Sequence, residues 1–153
     1  MNLLDFISSS VVLLFILPIC FFLATHNYFH LKALAGICLT TFLSEWLIKH
    51  RLIGTASPRP KGAKDCNLWC NDGIQEGKPG MPSSHSAEVA FFTGVYYYQT
   101  THPILRFLLV AYEILIMASR YLKRCHTIEQ IGVGTLFGLT LSVFFRSCVH
   151  SRA

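Results

Sequence analysis

The sequence has few charged residues. Only 14% of its 153 residues are Asp, Glu, Lys or Arg, whereas 52% are hydrophobic and the mean hydropathy is +0.46. Such a composition excludes an ordinary soluble domain and predicts a small integral membrane protein, with a single domain over residues 1–153. The 13 Lys and Arg residues outnumber the 8 Asp and Glu residues. They cluster between apolar segments and form no basic stripe, which argues against a nucleic-acid partner.

The chain also lacks the marks of a removed signal peptide. Its N-terminus carries no basic region and no clear small-x-small cleavage site, so we expect a first span that is retained. It contains no Asn-x-Ser/Thr acceptor for glycosylation either. The sequence therefore leaves open which face of the membrane each loop occupies.

The six cysteines do not form a disulfide framework. Cys20, Cys38 and Cys148 fall in apolar runs, where a cysteine is usually a small buried hydrophobe. Only Cys66 and Cys70 share a polar loop. These two could pair if that loop faces an oxidising lumen.

The chain contains several long apolar runs, which predict membrane-spanning helices. Five such segments run over residues 3–24, 31–48, 86–99, 104–118 and 128–149. The predicted fold is an all-α integral membrane bundle of about five transmembrane helices. In the last segment, Gly132, Gly134 and Gly138 have a spacing that more often means close helix packing than ligand contact.

A polar loop between the second and third segments is rich in basic residues. It holds Lys49, Arg51, Arg59, Lys61, Lys64 and Lys78, against the acidic residues Asp65, Asp72 and Glu76. It shows no sustained helical or strand period, and loops of this length inside compact domains are usually functional or disordered. Its net positive charge suits an anionic ligand.

This loop ends in a segment, Gly80–Ser86, that has the composition of a helix start. Pro82 and the serines Ser83 and Ser84 favour a helix N-terminus, and His85 lies at its mouth. The unpaired N–H groups and the positive dipole end of a helix N-terminus bind phosphate readily.

A second cluster, Ser119–His126, follows about forty residues later. Between His85 and His126 lie two apolar runs of roughly seventeen residues, about 25 Å of helix each, separated by a turn-prone segment, Thr100–Pro103. Because the chain crosses and returns, the two histidines are predicted to lie at the same end of a helical hairpin, next to the basic loop.

If the three clusters meet, they contain the groups needed for phosphoryl transfer without a metal. The fixed cations would be Lys49, Arg59 and Arg120. His126 is the better candidate nucleophile, because Gln130 lies one helical turn further on and could fix the tautomer of its ring. His85, at the helix mouth, is the better general acid.

These residues resemble two signature motifs of the type 2 phosphatidic acid phosphatase superfamily of membrane lipid phosphatases. Pro82–His85 is similar to its second motif, and Ser119-Arg120 with His126 is similar to its third. Gly80–Ser86 and His126–Ile131 resemble in particular the dolichyldiphosphatase branch. Two further segments are similar to that branch's first motif, namely Ile48–His50 and Pro58–Pro60.

The resemblance implies a metal-independent hydrolase that forms a phosphohistidine on His126 and needs no cofactor. His85 would protonate the leaving group, and Gln130 would orient His126. The phosphate-binding residues would be Lys49, Arg59, Ser83, Ser84 and Arg120. The implied fold has a four-helix catalytic core with the site at one membrane interface.

The implied substrate is a polyprenyl diphosphate, converted to the monophosphate and phosphate, in a reaction that recycles a glycosyl carrier lipid. In a eukaryotic cell we expect the protein in the endoplasmic reticulum membrane. The partners expected from the sequence are this lipid and the membrane itself.

Two departures from the superfamily pattern concern the site. The first motif places its Lys seven residues before the Arg, but Lys49 precedes Arg59 by ten and Leu52 occupies the expected position. Either three residues bulge out or Arg51 substitutes. In addition, Gln130 stands where most members have Asp; a Gln can orient a His but cannot compensate an imidazolium charge.

Three alternatives stay open at this stage. A zinc site could form from Cys66, Cys70, Cys125 and His126, although the basic surroundings disfavour a cation. A non-catalytic membrane protein could keep the bundle and only bind or scaffold lipids. Within the enzymes, a broad phosphatase acting on phosphatidic acid is the second candidate.

Overall fold

The computed structural model describes residues 2–150 and contains five helices. They are α1 (Leu3–Thr25), α2 (Phe29–Ala56), α3 (Ser84–Gln99), α4 (Pro103–Leu122) and α5 (Ile128–His150). Over this range there is no β-strand, only two isolated bridges in the loop before α3. The all-α prediction is confirmed.

Three of the five helices are long and apolar enough to cross a membrane: α1, α2 and Ile128–Val149 within α5. Helix α3 has 16 residues, about 24 Å of helix, whereas the hydrocarbon core of a bilayer is roughly 30 Å thick. Helix α4 has 20 residues but carries Arg106, Glu113 and Arg120. Five helices are present as predicted, but length and composition alone identify three of them as membrane spans.

Helix α3 can be short because it lies at the centre of the bundle. Most of its residues from Ser84 to Tyr96 are buried. Its apolar side chains share one core with Leu14 of α1, Ile37 of α2 and Ile116 of α4. Since neighbouring helices cover it, its length does not have to match the bilayer.

Two glycines allow α5 to pack directly against α3. A Cβ atom at Gly134 would collide with the backbone of Ser83, and one at Gly138 would collide with the backbone carbonyl of Ala87. At Gly132, by contrast, nothing in the described chain lies within 4 Å of the Cβ position. The predicted close packing therefore involves Gly134 and Gly138 but not Gly132.

The basic loop is fastened to the end of α4 by a disulfide between Cys66 and Cys125. Their Cα atoms are 5.5 Å apart, within the range that a disulfide spans. Cys66 therefore pairs with Cys125 and not with Cys70, the partner that the sequence left possible. Cys70 is a free thiol that accepts a hydrogen bond from Lys123 Nζ at 2.9 Å. With Cys66 and Cys125 bonded to each other, the zinc alternative loses two of its ligands, and residues 2–150 contain no other cluster suited to a metal ion.

Candidate active site

A cavity of about 320 Å³ lies between the basic loop and the ends of the helices. Six of the predicted site residues line it, and they come from all three sequence clusters: Lys49, Arg59, Ser84, His85, Arg120 and His126. The structure therefore brings together residues that are up to 77 positions apart in the chain, from 49 to 126. The other two predicted residues, Ser83 and Gln130, are buried outside the lining.

Gln130 orients the ring of His126, and both the nitrogen and the oxygen of its side-chain amide form hydrogen bonds. Its Nε2 donates to the carbonyl of Pro58 at 2.9 Å and to Ser57 Oγ at 3.1 Å. These acceptors orient the amide so that Oε1 faces the ring, 3.2 Å from Nδ1 of His126. Because Oε1 can only accept, the hydrogen of the imidazole must be on Nδ1.

That tautomer leaves Nε2 of His126 without a hydrogen, so its lone pair can accept a hydrogen bond. Arg59 Nη1 donates to this nitrogen at 3.2 Å. Burial lowers the pKa of His126 well below its ordinary value, and the charges of Arg120 and Arg59 lower it further. The ring is therefore neutral near pH 7, as a nucleophilic imidazole has to be.

Two guanidinium groups are fixed by backbone carbonyls near the disulfide. Arg59 Nη1 also donates to the carbonyl of Cys125 at 3.2 Å. Arg120 is fully buried; its Nη1 donates to the hydroxyl of Ser8 in α1, and its Nη2 donates to the carbonyl of Cys66. Both cations therefore depend on the Cys66–Cys125 connection for their positions.

Three buried nitrogens on residues that line the cavity have no hydrogen-bond partner within residues 2–150: Nε of Arg59, Nε of Arg120 and Nε2 of His85. Buried polar groups are nearly always satisfied, so three such groups on residues lining one cavity indicate a polar ligand. The two guanidinium groups require that ligand to be an anion.

Lys49 reaches the cavity in spite of its unusual distance from Arg59 in the sequence. Its Nζ is 3.0 Å from Ser84 Oγ and is paired with Glu45. Helix α2 widens to a π-helix over Phe42–Ile53 and ends in a 3₁₀ turn at Gly54–Ala56. Lys49 lies in this π-helical part of α2, and its side chain reaches the cavity from there.

Arg51, the alternative to Lys49, does not line the cavity. It is exposed, and its guanidinium lies over the ring of Trp46, 4.8 Å from the centroid. The structure therefore brings Lys49, and not Arg51, to Ser84. Lys49 also forms an i, i+4 ion pair with Glu45, in which the lysine is the buried member.

Ser83 caps helix α3. Its hydroxyl oxygen accepts from the backbone N–H of Ser86 at 3.4 Å and from the Ser86 hydroxyl at 2.9 Å. Its own N–H donates to the carbonyl of Gln130 at 3.0 Å. Ser83 thus joins the start of α3 to the start of α5, directly behind Ser84 and His85.

Sequence reasoning missed three residues near the site. Ser8 carried no signal, because it lies in an apolar segment outside every motif. Glu45 was visible only as the i, i+4 neighbour of Lys49. Glu88 lies outside the three sequence clusters, but it lines the cavity and accepts from the hydroxyl of Thr41 at 2.9 Å.

Comparison with known proteins gives one match. The model of the PAP2 superfamily matches residues 29–153, which include every predicted site residue but not α1. Neither a curated protein nor a solved structure matches the chain.

Proposed function

From the premise that the chain belongs to the PAP2 superfamily, whose members are phosphatases of lipid phosphates, we propose that it removes the terminal phosphate of a polyprenyl diphosphate. The products are the polyprenyl monophosphate and inorganic phosphate. The reaction uses the protein's own side chains and a covalent intermediate on His126.

In the first step, the lone pair on Nε2 of His126 attacks the terminal phosphorus. A bond forms between nitrogen and phosphorus, and the bridging P–O bond breaks. His85, in its imidazolium form, gives a proton to the departing oxygen and becomes neutral, so that the lipid leaves as the monophosphate. The guanidinium groups of Arg59 and Arg120, with Lys49, stabilise charge on the non-bridging oxygens.

In the second step, water attacks the phosphorus and the bond to His126 breaks. His85, now without its proton, accepts one from the attacking water, and inorganic phosphate leaves. Gln130 takes no direct part but keeps the Nδ1 hydrogen in place through both steps. Each residue thereby returns to its starting state.

The observation that carries this proposal is the position of Nε2 of His126. It is unprotonated, buried and 3.2 Å from Nη1 of Arg59. Around the same cavity, Nε of Arg59, Nε of Arg120 and Nε2 of His85 have no hydrogen-bond partner within residues 2–150. A protein that only binds an anionic lipid has no need for an unprotonated imidazole nitrogen beside Arg59, so the orientation of His126 favours catalysis.

The choice of a diphosphate rests on the resemblance of Gly80–Ser86 and Gln130 to the dolichyldiphosphatase branch. The proposed location is the endoplasmic reticulum membrane of a eukaryotic cell. The Cys66–Cys125 disulfide supports a lumen-facing site there, because disulfides persist in oxidising compartments.

The test is phosphate release by the full chain in detergent and excess chelator, with dolichyl diphosphate and phosphatidic acid compared side by side. We expect the diphosphate to be the better substrate and His126→Ala to abolish turnover. His102→Ala changes an exposed histidine before α4 and serves as the matched control. Preference for phosphatidic acid would overturn the substrate, and no release from either lipid would overturn the enzyme.

A further inference from the structure

Glu45 occupies one half of the candidate site. Its Oε2 accepts from the ammonium group of Lys49 and also from the hydroxyl of Ser84. Lys49 and Ser84 are in turn 3.0 Å apart. One carboxylate oxygen therefore holds both of the groups on this side that a phosphate oxygen would use.

The other half of the site is different. There, Arg59, Arg120 and His85 each present a buried nitrogen without a hydrogen-bond partner in the described chain. One side of the cavity thus has donors that are unused, whereas the donors on the other side are used by an acidic side chain. A phosphoryl group that contacted both sides would have to compete with Glu45.

The two members of the ion pair differ in their freedom to move. The side chain of Lys49 is 2% exposed, whereas that of Glu45 is 42% exposed. The carboxylate therefore has room to rotate away from Ser84, but the lysine cannot follow it. His50 is half exposed at the cavity edge, with Nε2 3.4 Å from the other oxygen of Glu45, and it can receive the carboxylate there.

We propose that Glu45 is an internal stand-in for a phosphate oxygen, which leaves Lys49 and Ser84 when a phosphoryl group binds. Without an anion, it compensates a lysine that is otherwise buried and unpaired. When substrate enters, it moves aside, and its displacement reduces the net affinity of the site. The inference rests on the proposed function, because it assumes that Lys49 and Ser84 bind the phosphoryl group.

This role makes Glu45 a residue that sets selectivity. Replacing a carboxylate on Lys49 is favourable only for a ligand that offers more negative charge or more oxygens. A terminal phosphoryl group has three such oxygens and is dianionic near pH 7, whereas a phosphodiester is a monoanion. We therefore expect Glu45 to weaken phosphodiester binding more than phosphate binding.

The test is equilibrium dialysis of radiolabelled inorganic phosphate against the full chain in detergent. In Glu45→Gln the charge is lost, and we expect phosphate to bind about tenfold more tightly, the size of one charge-assisted hydrogen bond that no longer has to be broken. Glu45→Asp keeps the charge but is too short to reach Ser84. It should also bind phosphate more tightly than the parent protein.

The matched control is Glu129→Gln, which removes an exposed carboxylate beside the site and should leave the phosphate affinity unchanged. In a Lys49→Met background, Glu45→Gln should have little effect. Tighter binding in Glu45→Gln with parental affinity in Glu45→Asp would overturn the proposal, because charge and not occupancy would then be responsible. Weaker binding in both Glu45 variants would also overturn it.

The two proposals can fail separately. If the parent protein hydrolyses lipid diphosphate but phosphate binding ignores Glu45, only the stand-in role is wrong. If both Glu45 variants bind phosphate more tightly but no lipid phosphate is hydrolysed, the stand-in role is supported and the proposed reaction is wrong.

Discussion

Replacing Gln130 with leucine should inactivate the protein without unfolding the bundle. The substitution keeps the size of the side chain but removes every hydrogen bond of its amide. Nδ1–H of His126 and the carbonyl of Pro58 lose partners that are now 3.2 and 2.9 Å away. Each buried group left unpaired costs about 1–3 kcal/mol of stability.

The catalytic loss follows from the tautomer. Without Oε1 of Gln130, the hydrogen of the His126 ring can move to Nε2, where it points at Arg59 and blocks the lone pair. We expect kcat to fall by about 10²- to 10⁴-fold, the range associated with a misplaced general base or wrong tautomer. Gln130→Glu retains an acceptor for Nδ1–H and should keep more activity than Gln130→Leu.

Two measurements check this reasoning. Phosphate release gives kcat, and nitrogen NMR of isotope-labelled histidine identifies which ring nitrogen of His126 carries the hydrogen. Nε2 should be the unprotonated nitrogen in the parent protein. The reasoning is refuted if Nδ1 is the unprotonated one, or if Gln130→Leu turns over within about twofold of the parent rate.

Three further predictions concern packing, the disulfide and pH. Gly134→Ala should lower the free energy of unfolding by about 1–3 kcal/mol, because the added methyl group overpacks against Ser83. Gly132→Ala places its methyl group in open space and should raise that free energy by up to about 1 kcal/mol. Equal shifts of the thermal unfolding midpoint in the two variants would contradict the packing geometry. Cys66→Ser should lower kcat/KM at least about tenfold, because losing one of the charge-assisted hydrogen bonds that fix the two guanidinium groups costs about that factor. The helix content measured by circular dichroism should stay unchanged. Cys38→Ser serves as the control. Since burial and the neighbouring arginines lower the pKa of His126, its ring should stay neutral as the pH falls through the ordinary histidine value of about 6.5. Unfolding should become easier there, because the unfolded chain takes up a proton that the folded chain does not. An NMR titration midpoint near 6.5 would contradict this.

The sequence predicted the parts of the fold that depend on local pattern. Apolar runs predicted the helices. Because the chain runs along one helix and returns along the next, these runs also predicted that His85 and His126 lie at the same end of a helical hairpin. The serines before α3 predicted its start within two residues, at 84 instead of 86. These features depend on neighbours in the chain, so a single sequence contains them.

What the sequence could not predict depends on contacts between distant segments. The disulfide partner of Cys66 is 59 residues away, and nothing near either cysteine specifies the other. The position of Lys49 depends on a π-helical end of α2, which no apolar period indicates. The sequence also could not predict that Oε2 of Glu45 accepts from both Lys49 and Ser84, because Ser84 comes from α3, a different helix.

The hydroxyl of Ser8 has a consequence for building chimaeras. The family match begins at residue 29, so a grafting experiment guided by that boundary would transplant α2 to α5 and leave α1 behind. The transplanted Arg120 would then be buried with Nη1 facing whatever side chain the host helix offers. A host with an apolar residue at that level would accept the bundle and return a protein that is folded but lacks an aligned guanidinium. The transferable unit of this site is therefore longer than the segment by which its family is recognised.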